Sequence, residues 1–445
     1  MALKMPLKAP PAVLAPAYDW NGFYLGGYYG AAWSQSSAST PNFAITTPVT
    51  GNVDINSTSF TAGITAGYNW QLSPTWLVGV EGDYGYLGGG QLFAEFDDPN
   101  VFVGEKNRWY ATLRGRVGYV TGPSLIYLTG GVGFVRVTDT FGGTAGVPPL
   151  SSSTTTTGGV IGAGIETKLS RNWSAKTEYL YVDGGSDHTF QSNPFGSLTP
   201  ASFTHSFQVI KTGLNYKFDG NWDGLPFFNG TMLASNHNWN GFYIGGNAGI
   251  GTSLTNVHSV SLSLTGNTDN YINGTGFAGG GEAGYNYLIW QKYLIGVEGD
   301  FGALAINHSV PDWNDQNPPT DVITFSQKTD WYGTLRARIG TTTGPALLYL
   351  TGGVAWVHLQ DGAAPSSGFA SGSLSSKTGT GWTWGGGTEV ALDQHWSAKL
   401  ESLYVNSGTS TRQTSGPANF GGPIPFADFK ERFVIVRFGL NYAFN

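Results

Sequence analysis

Trp109-Tyr110-Ala111-Thr112-Leu113-Arg114-Gly115-Arg116-Val117-Gly118 carries two arginines two residues apart in a run of β-forming residues. Side chains along a strand alternate between faces, so Arg114 and Arg116 share one face. The run returns as Trp331-Tyr332-Gly333-Thr334-Leu335-Arg336-Ala337-Arg338. Other charges follow the same two-residue rule: Glu81 with Asp83, Glu166 with Lys168 and Lys176 with Glu178, then Glu298 with Asp300 and Lys399 with Glu401. Glu389 answers Glu166, Ala391 answers Lys168, and Lys211 is matched by Arg437.

The repetition extends through the chain. Trp20-Asn21-Gly22-Phe23-Tyr24-Leu25-Gly26-Gly27 returns as Trp239-Asn240-Gly241-Phe242-Tyr243-Ile244-Gly245-Gly246, and Trp173-Ser174-Ala175-Lys176 as Trp396-Ser397-Ala398-Lys399. A repeat this long is a duplicated domain rather than a solenoid unit. The sequence divides into an Ala/Pro-rich tether at 1–18, a first repeat at 19–218, a polar linker at 219–238 and a second repeat at 239–445. The N-terminus is short of a signal peptide, because Pro10, Pro11 and Pro16 break the apolar stretch between Lys8 and Ala17. An exported form is expected to have its signal outside this sequence.

Among the 445 residues only 11% are charged, 67 are Gly, 14% are aromatic and none is Cys. Mean hydropathy is −0.13, and no run approaches the ~18 apolar residues of a membrane helix. Any membrane segment must therefore be a strand. The net charge of −7 argues against a nucleic-acid partner, whose binder would be basic.

Period-2 segments recur near 21–33, 58–71, 75–88, 109–121, 124–137, 158–170, 173–184 and 206–218, and the second repeat gives the same set. Short turns at 72–74, 121–123 and 170–172 alternate with long Ser/Thr/Gly-rich segments near 34–57, 89–108, 138–157 and 185–205. Short periplasmic turns and long outer loops are the pattern of outer-membrane barrels. The expected class is all-β: a transmembrane antiparallel up-and-down β-barrel. Tyr68, Trp70, Trp76, Trp173, Tyr216 and Phe218 are expected in an aromatic belt on the turn side, and Trp109 and Tyr110 on the loop side.

With hydrocarbon outside, where a midplane Arg or Lys costs about 2 to 4 kcal/mol, the charged face must be the lumen. The first repeat sets four carboxylates (Glu81, Asp83, Glu166, Glu178) against five cations (Arg114, Arg116, Lys168, Lys176, Lys211). The second sets Glu298, Asp300, Glu389 and Glu401 against Arg336, Arg338, Lys399 and Arg437. A small barrel is just wide enough to be filled by side chains, so these groups are expected to plug it as an ion-pair network. The seven His residues fall in no metal-binding spacing, and His205 corresponds to Glu431. Gly279-Gly280-Gly281-Glu282-Ala283-Gly284 matches GxGxxG by chance, with no helix to receive a pyrophosphate. No catalytic or metal residues are assigned.

Taken as a set, the Trp-Asn-Gly-Phe-Tyr opening, the Gly-Val-Glu-Gly-Asp strand, Leu113-Arg114-Gly115-Arg116-Val117-Gly118 and Gly213-Leu214-Asn215-Tyr216-Lys217-Phe218 resemble the small porin-like outer-membrane barrels of alphaproteobacteria. That family is similar to the OmpA membrane domain and includes some hemin-binding surface antigens. The resemblance implies a Gram-negative outer-membrane location, lipid as surroundings and the outer-membrane assembly machinery as a partner. It also implies an assembly signal, present twice: Gly213, Tyr216, Phe218 and Gly439, Tyr442, Phe444.

Two tandem eight-stranded barrels are the first expectation, and one fused barrel of about 16 strands is the rival. Two plugged barrels imply an envelope-structural or surface-interaction role, with the loop partner unnamed. A fused barrel implies a passive channel for small hydrophilic solutes. No cofactor is assigned; hemin enters only through the resemblance and the loop residues His188, His258 and His308.

Overall fold

The computed structural model describes residues 18–40, 51–94, 102–142, 150–192, 198–219, 237–259, 268–290, 292–312, 323–343, 345–365, 375–413 and 426–444. Every regular element among them is a β-strand. In the first repeat these are β1 (Gly22–Thr40), β2 (Gly51–Gln71), β3 (Trp76–Leu87), β4 (Gly90–Ala94), β5 (Phe102–Thr121), β6 (Ser124–Gly142), β7 (Leu150–Lys168), β8 (Trp173–Ser192) and β9 (Leu198–Lys217). The second repeat holds β10 (Gly241–Ser253), β11 (Thr255–Ser259), β12 (Thr268–Ile272), β13 (Thr275–Ile289), β14 (Tyr293–Ala305), β15 (Asn307–Asp312), β16 (Ile323–Thr343), β17 (Ala346–Pro365), β18 (Ser375–Ala391), β19 (Trp396–Gln413) and β20 (Phe426–Ala443).

Each repeat closes on itself. β1 pairs antiparallel with β2 on one edge and β9 on the other, and β10 pairs with β13 and β20. β3 and β4 both lie along β5 and form one interrupted stave; β10 with β11, β12 with β13, and β14 with β15 do the same. Each ring therefore has eight staves, and no described strand of one ring pairs with the other. The fused 16-strand barrel is overturned: the edge groups of β9 are already satisfied by β1, leaving nothing to pair with β10.

Adjacent residues report the two faces. Leu113 is 62% exposed and Arg114 1%. Leu128, Ile161, Phe301, Ile339 and Leu350 continue the apolar exterior. Tyr110 departs from the expected interfacial belt. It is its neighbour Trp109 that faces out beside Tyr84, with ring centroids 5.7 Å apart, so alternation sends Tyr110 into the lumen, where it is buried.

The strands run further than the sequence pattern indicates. β9 begins at Leu198 rather than near 206, and β2 and β5 start seven residues earlier than expected (58 − 51 and 109 − 102). Apolar alternation marks only the height in contact with lipid. Above it the outward positions become hydroxyls, as in Thr138–Ser153 and Thr140–Ser151, both at 2.8 Å across β6 and β7. The backbone ladder continues regardless of the outward side chain.

Read down its inner face, β9 gives the layering of the lumen: Phe203, His205, Phe207, Val209, Lys211, Asn215. Phe203 joins an apolar plug with Ala38, Ile55, Val103 and Phe141 at the outer end. Phe207 and Val209 belong to a second apolar layer with Tyr28 and Tyr110. Trp20 closes the turn end with Leu77, Val120, Leu125 and Tyr127, and Trp239 does so in the second barrel with Leu294, Leu347 and Tyr349.

The barrels pack side by side. Trp33 and Ile165 of the first meet Val390, Ala398, Leu400, Val434 and Val436 of the second in one buried cluster. Polar contacts cross the same wall: Thr177 Oγ1 to Thr388 Oγ1 at 2.6 Å, Gln208 Nε2 to Thr252 Oγ1 at 3.0 Å and Thr275 Oγ1 to Gln35 Oε1 at 2.9 Å. Apolar contact alone gives little association in lipid, whereas such hydrogen bonds contribute about 0.6 to 2 kcal/mol each.

The chain has no native cysteine, so a T177C/T388C variant offers a clean test of this wall. Oxidation in folded chains is expected to form one intramolecular disulfide, seen as a changed mobility on non-reducing gels. A failure to cross-link, with both thiols reactive to a small maleimide, would count against the packing.

Candidate functional site

The charged layer of each lumen is built from inward positions on β3, β5, β7, β8 and β9, and on their counterparts β14, β16, β18, β19 and β20, which β13 joins in the second barrel. Arg114 spans the first lumen. Its guanidinium donates to Glu81 at 2.7 Å, to Glu178 at 2.9 Å and also to Asp83. Arg116 donates to Glu166 at 3.0 Å and to the Asn69 side-chain oxygen at 2.8 Å. Lys176 reaches Glu81 at 2.7 Å, and Lys211 reaches Glu178 at 2.9 Å. Tyr127 donates to Glu178 at 2.9 Å, so the carboxylates accept from phenols as well as cations.

The second lumen repeats the wiring. Arg336 donates to Glu401 at 2.9 Å, to Asp300 at 2.7 Å and to Glu298. Arg338 binds Glu389 at 2.9 Å, and Arg437 binds Asp300 at 2.8 Å and Glu401 at 2.6 Å. Glycines make room for it. A Cβ on Gly67 would lie 2.3 Å from the Tyr24 hydroxyl and one on Gly284 2.4 Å from that of Tyr243, and these phenols donate to Glu81 and Glu298.

Two positions depart from the sequence reading. Lys168, expected in the network, lies at the turn end, with its ammonium 4.7 Å from the Trp20 ring and 3.3 Å from the Arg171 carbonyl. Among the described residues it forms no ion pair with a carboxylate. Glu282, set aside with the chance GxGxxG match, is a buried member that pairs with Lys399 and approaches Arg437 at 3.6 Å. It faces Asp300 across β13 and β14 where the first barrel has Thr65 facing Asp83. The first layer thus carries four cations and four carboxylates (4 − 4 = 0), the second four and five (4 − 5 = −1). Glu282 could have been found from its strand parity, which matches that of Asp300.

The closing-strand residues sit at the seams. Tyr216 packs against Trp173 at 5.1 Å and Phe218 against Phe23 at 5.6 Å. Tyr442 and Phe444 repeat this with Trp396 at 5.2 Å and Phe242 at 5.6 Å. Gly213 faces Tyr28 across the first seam and Gly439 faces Asn247 across the second.

A second polar layer, invisible as a sequence motif, lies above the Trp109 level, outside the membrane-spanning height. Glu105 faces Asp139 across β5 and β6, and His205 on β9 lies between them and Asp187 on β8. His205 Nδ1 is 2.7 Å from Glu105 Oε2. Burial pulls this imidazole down, but hydrogen bonds to Asp187 and Glu105 and the charges of Glu105 and Asp139 outweigh it and hold it up at about 10. The second barrel places Gln327, Asp361, Ser410 and Glu431 at the matching registers. There burial first, and then the Asp361 charge, push Glu431 up to about 8. Of the histidines considered for hemin, His308 contacts Asp54 at 3.0 Å, and the side chains of His188 and His258 lie outside the described residues.

The model of the outer membrane protein β-barrel domain family matches residues 5–218 and again 227–444. The 31 kDa outer-membrane immunogenic protein of Brucella melitensis is 33% identical over 219 residues, covering 46% of this chain and 84% of that protein. The 22 kDa outer membrane protein of Rhizobium leguminosarum bv. viciae is 32% identical over 214 residues, covering 47% and 83%. Among solved structures, the outer membrane protein OprG of Pseudomonas aeruginosa is 16% identical with a TM-score of 0.34, covering 47% of this chain and 99% of that one.

Arg114→Ala leaves Glu81, Asp83 and Glu178 facing one another without their shared cation and is expected to destabilise the first barrel by about 3 to 5 kcal/mol. A lowered urea midpoint measures this, and an unchanged midpoint would remove the network from the account of stability. Glu431 gives a pH dependence. Its folded pKa of about 8 lies above the ordinary 4.5, so the folded state keeps a proton that the unfolded chain has released. The associated stability is present at low pH and is lost as pH rises through about 8. The urea midpoint should fall between about pH 6 and about pH 9 in the wild type and less steeply in Glu431→Gln; equal slopes would refute the retained proton on Glu431.

Proposed function

Because the chain belongs to the outer membrane protein β-barrel family and resides in the outer membrane of a Gram-negative bacterium, we propose that it is a non-enzymatic envelope protein. In this reading it is a pair of plugged barrels whose role is structural or surface-interacting, with bilayer lipid around them. The carrying observation is that Arg114 and Arg336, both buried, join carboxylates on opposite walls of their lumens: β3 to β8 and β14 to β19. A solute crossing either barrel would have to break a buried ion-pair layer and three apolar layers. Paired carboxylates can serve acid–base chemistry, but here each lies against a cation of the same buried layer. The passive-channel alternative rested on fusion of the two rings and loses its premise with their separate closure.

The assembly machinery is the partner proposed for the closing strands. The spaced aromatics Tyr216 and Phe218, and Tyr442 and Phe444, lie at the turn-side ends of β9 and β20, the strands that close each ring. Recognition of an outer partner falls to the connections between strands at the opposite end, where loops of a rigid scaffold commonly carry function.

Reconstitution into planar bilayers tests the reading. The expected record is silence or brief flicker, with no stable open level of porin size. A steady conductance from the wild-type chain would overturn the plugged-barrel function, even with the fold intact.

A further inference from the structure

We propose that the first barrel holds one divalent transition-metal ion, Zn²⁺ by its donor set, at the outer end of its lumen, with His205 Nε2, Asp139 and Asp187 as ligands and Glu105 orienting the imidazole. The geometry around His205 has two unlike halves. On one side Nδ1 meets Glu105 Oε2 at 2.7 Å, the carboxylate–imidazole contact that fixes a ligating histidine's tautomer and ring plane. On the other, Nε2 stands 3.4 Å from Asp187 Oδ1 and 3.7 Å from Asp139 Oδ2. Those separations are long for charge-assisted hydrogen bonds, which run about 2.7 to 2.9 Å. They suit donors sharing a tetrahedral ion: ligands at about 2.0 to 2.2 Å from zinc lie about 3.3 to 3.6 Å from one another.

Asp139 supplies the independent observation. It is 0% exposed, and no N–H or hydroxyl donates to either of its oxygens, whose side-chain partner is the carboxyl of Asp187; Glu105 Oε1 and Asp187 Oδ2 receive no such donor either. Ligand atoms of Glu105, Asp139 and His205 lie within 4.8 Å of one another. With all three carboxyls ionised, even a protonated imidazole would leave the four groups at −2 (1 − 3). A purely structural ion pair would be complete with Glu105 and His205, and Asp139 would then stay buried only by keeping a proton beside Asp187. A dication held by neutral imidazole and two carboxylates is itself neutralised and leaves the four groups at −1 (2 − 3), the charge of Glu105, and one imidazole with carboxylates suits zinc.

The second barrel is an internal control. At the same registers it has Gln327, Ser410 and Glu431, keeping only Asp361, and Glu431 accepts from the Ser407 hydroxyl at 3.1 Å and from Ser410. The fold thus closes without the histidine and without two of the acids, so the cluster is not an architectural requirement.

The Phe203 layer covers the site, so the untagged full chain is refolded in detergent with Zn²⁺, desalted, and its metal counted by mass spectrometry. Folding of each variant is checked by heat-modifiable gel migration. The expected count is about one ion per wild-type chain, falling at least tenfold in Asp139→Asn and in Asp187→Asn, with Co²⁺ giving the visible bands of a tetrahedral complex. Combining Gln327→Glu, Ser410→Asp and Glu431→His is expected to raise the count to about two. A wild-type count near zero overturns the proposal, as does full retention of zinc by either folded single variant.

Discussion

A backbone N–H or C=O without a partner in hydrocarbon costs several kcal/mol, and a sheet has a row of them on each edge. The rest of this structure follows from how the chain meets that cost. β1 with β9, and β10 with β20, bring first and last strands of each repeat together. Closing after eight staves makes each lumen narrow, and a narrow lumen has to be filled by side chains. The charges are inside because the outside is lipid. They are paired because the inside is too tight for water to compensate them.

The strands, their faces and the inward charges were legible because one rule governs them all: a period of two with hydrocarbon on one side. Arg114 beside Leu113 is enough to orient β5. Closure was less legible, since strand patterns are the same whether β9 returns to β1 or continues to β10. Tyr110 was misplaced by grouping it with Trp109 on aromatic character, although parity separates the two. Glu282 was hidden by a glycine-rich run that mimicked a nucleotide motif. The outer layer of Glu105, Asp139, Asp187 and His205 comes from four strands and has no spacing to detect; only the register brings it together.

The two copies show which parts of the design tolerate change. The central arginine and its three carboxylates are wired alike in both lumens, through Arg114 and Arg336. Lys211 and Arg437 exchange one cation for another at a single register. Both barrels also keep a positive-φ glycine at the strand bulge near the outer layer, Gly185 and Gly408. Between those fixed points the outer polar layer diverges, from an imidazole among carboxylates to a carboxylate pair among hydroxyls. Divergence there costs little because a separate apolar plug, built around Phe203 or Phe429, closes each barrel beyond it.

The lateral wall between the barrels has a consequence beyond holding them together. Both barrels have their short turns on the same side, so both outer ends face the same way. Contacts such as Thr177 with Thr388 fix their separation. A partner able to touch both outer ends would meet them at a set distance, and its second contact would be intramolecular. Its local concentration is then set by geometry rather than by how many copies the membrane holds. Duplication in a single chain thus fixes the spacing of two outer ends.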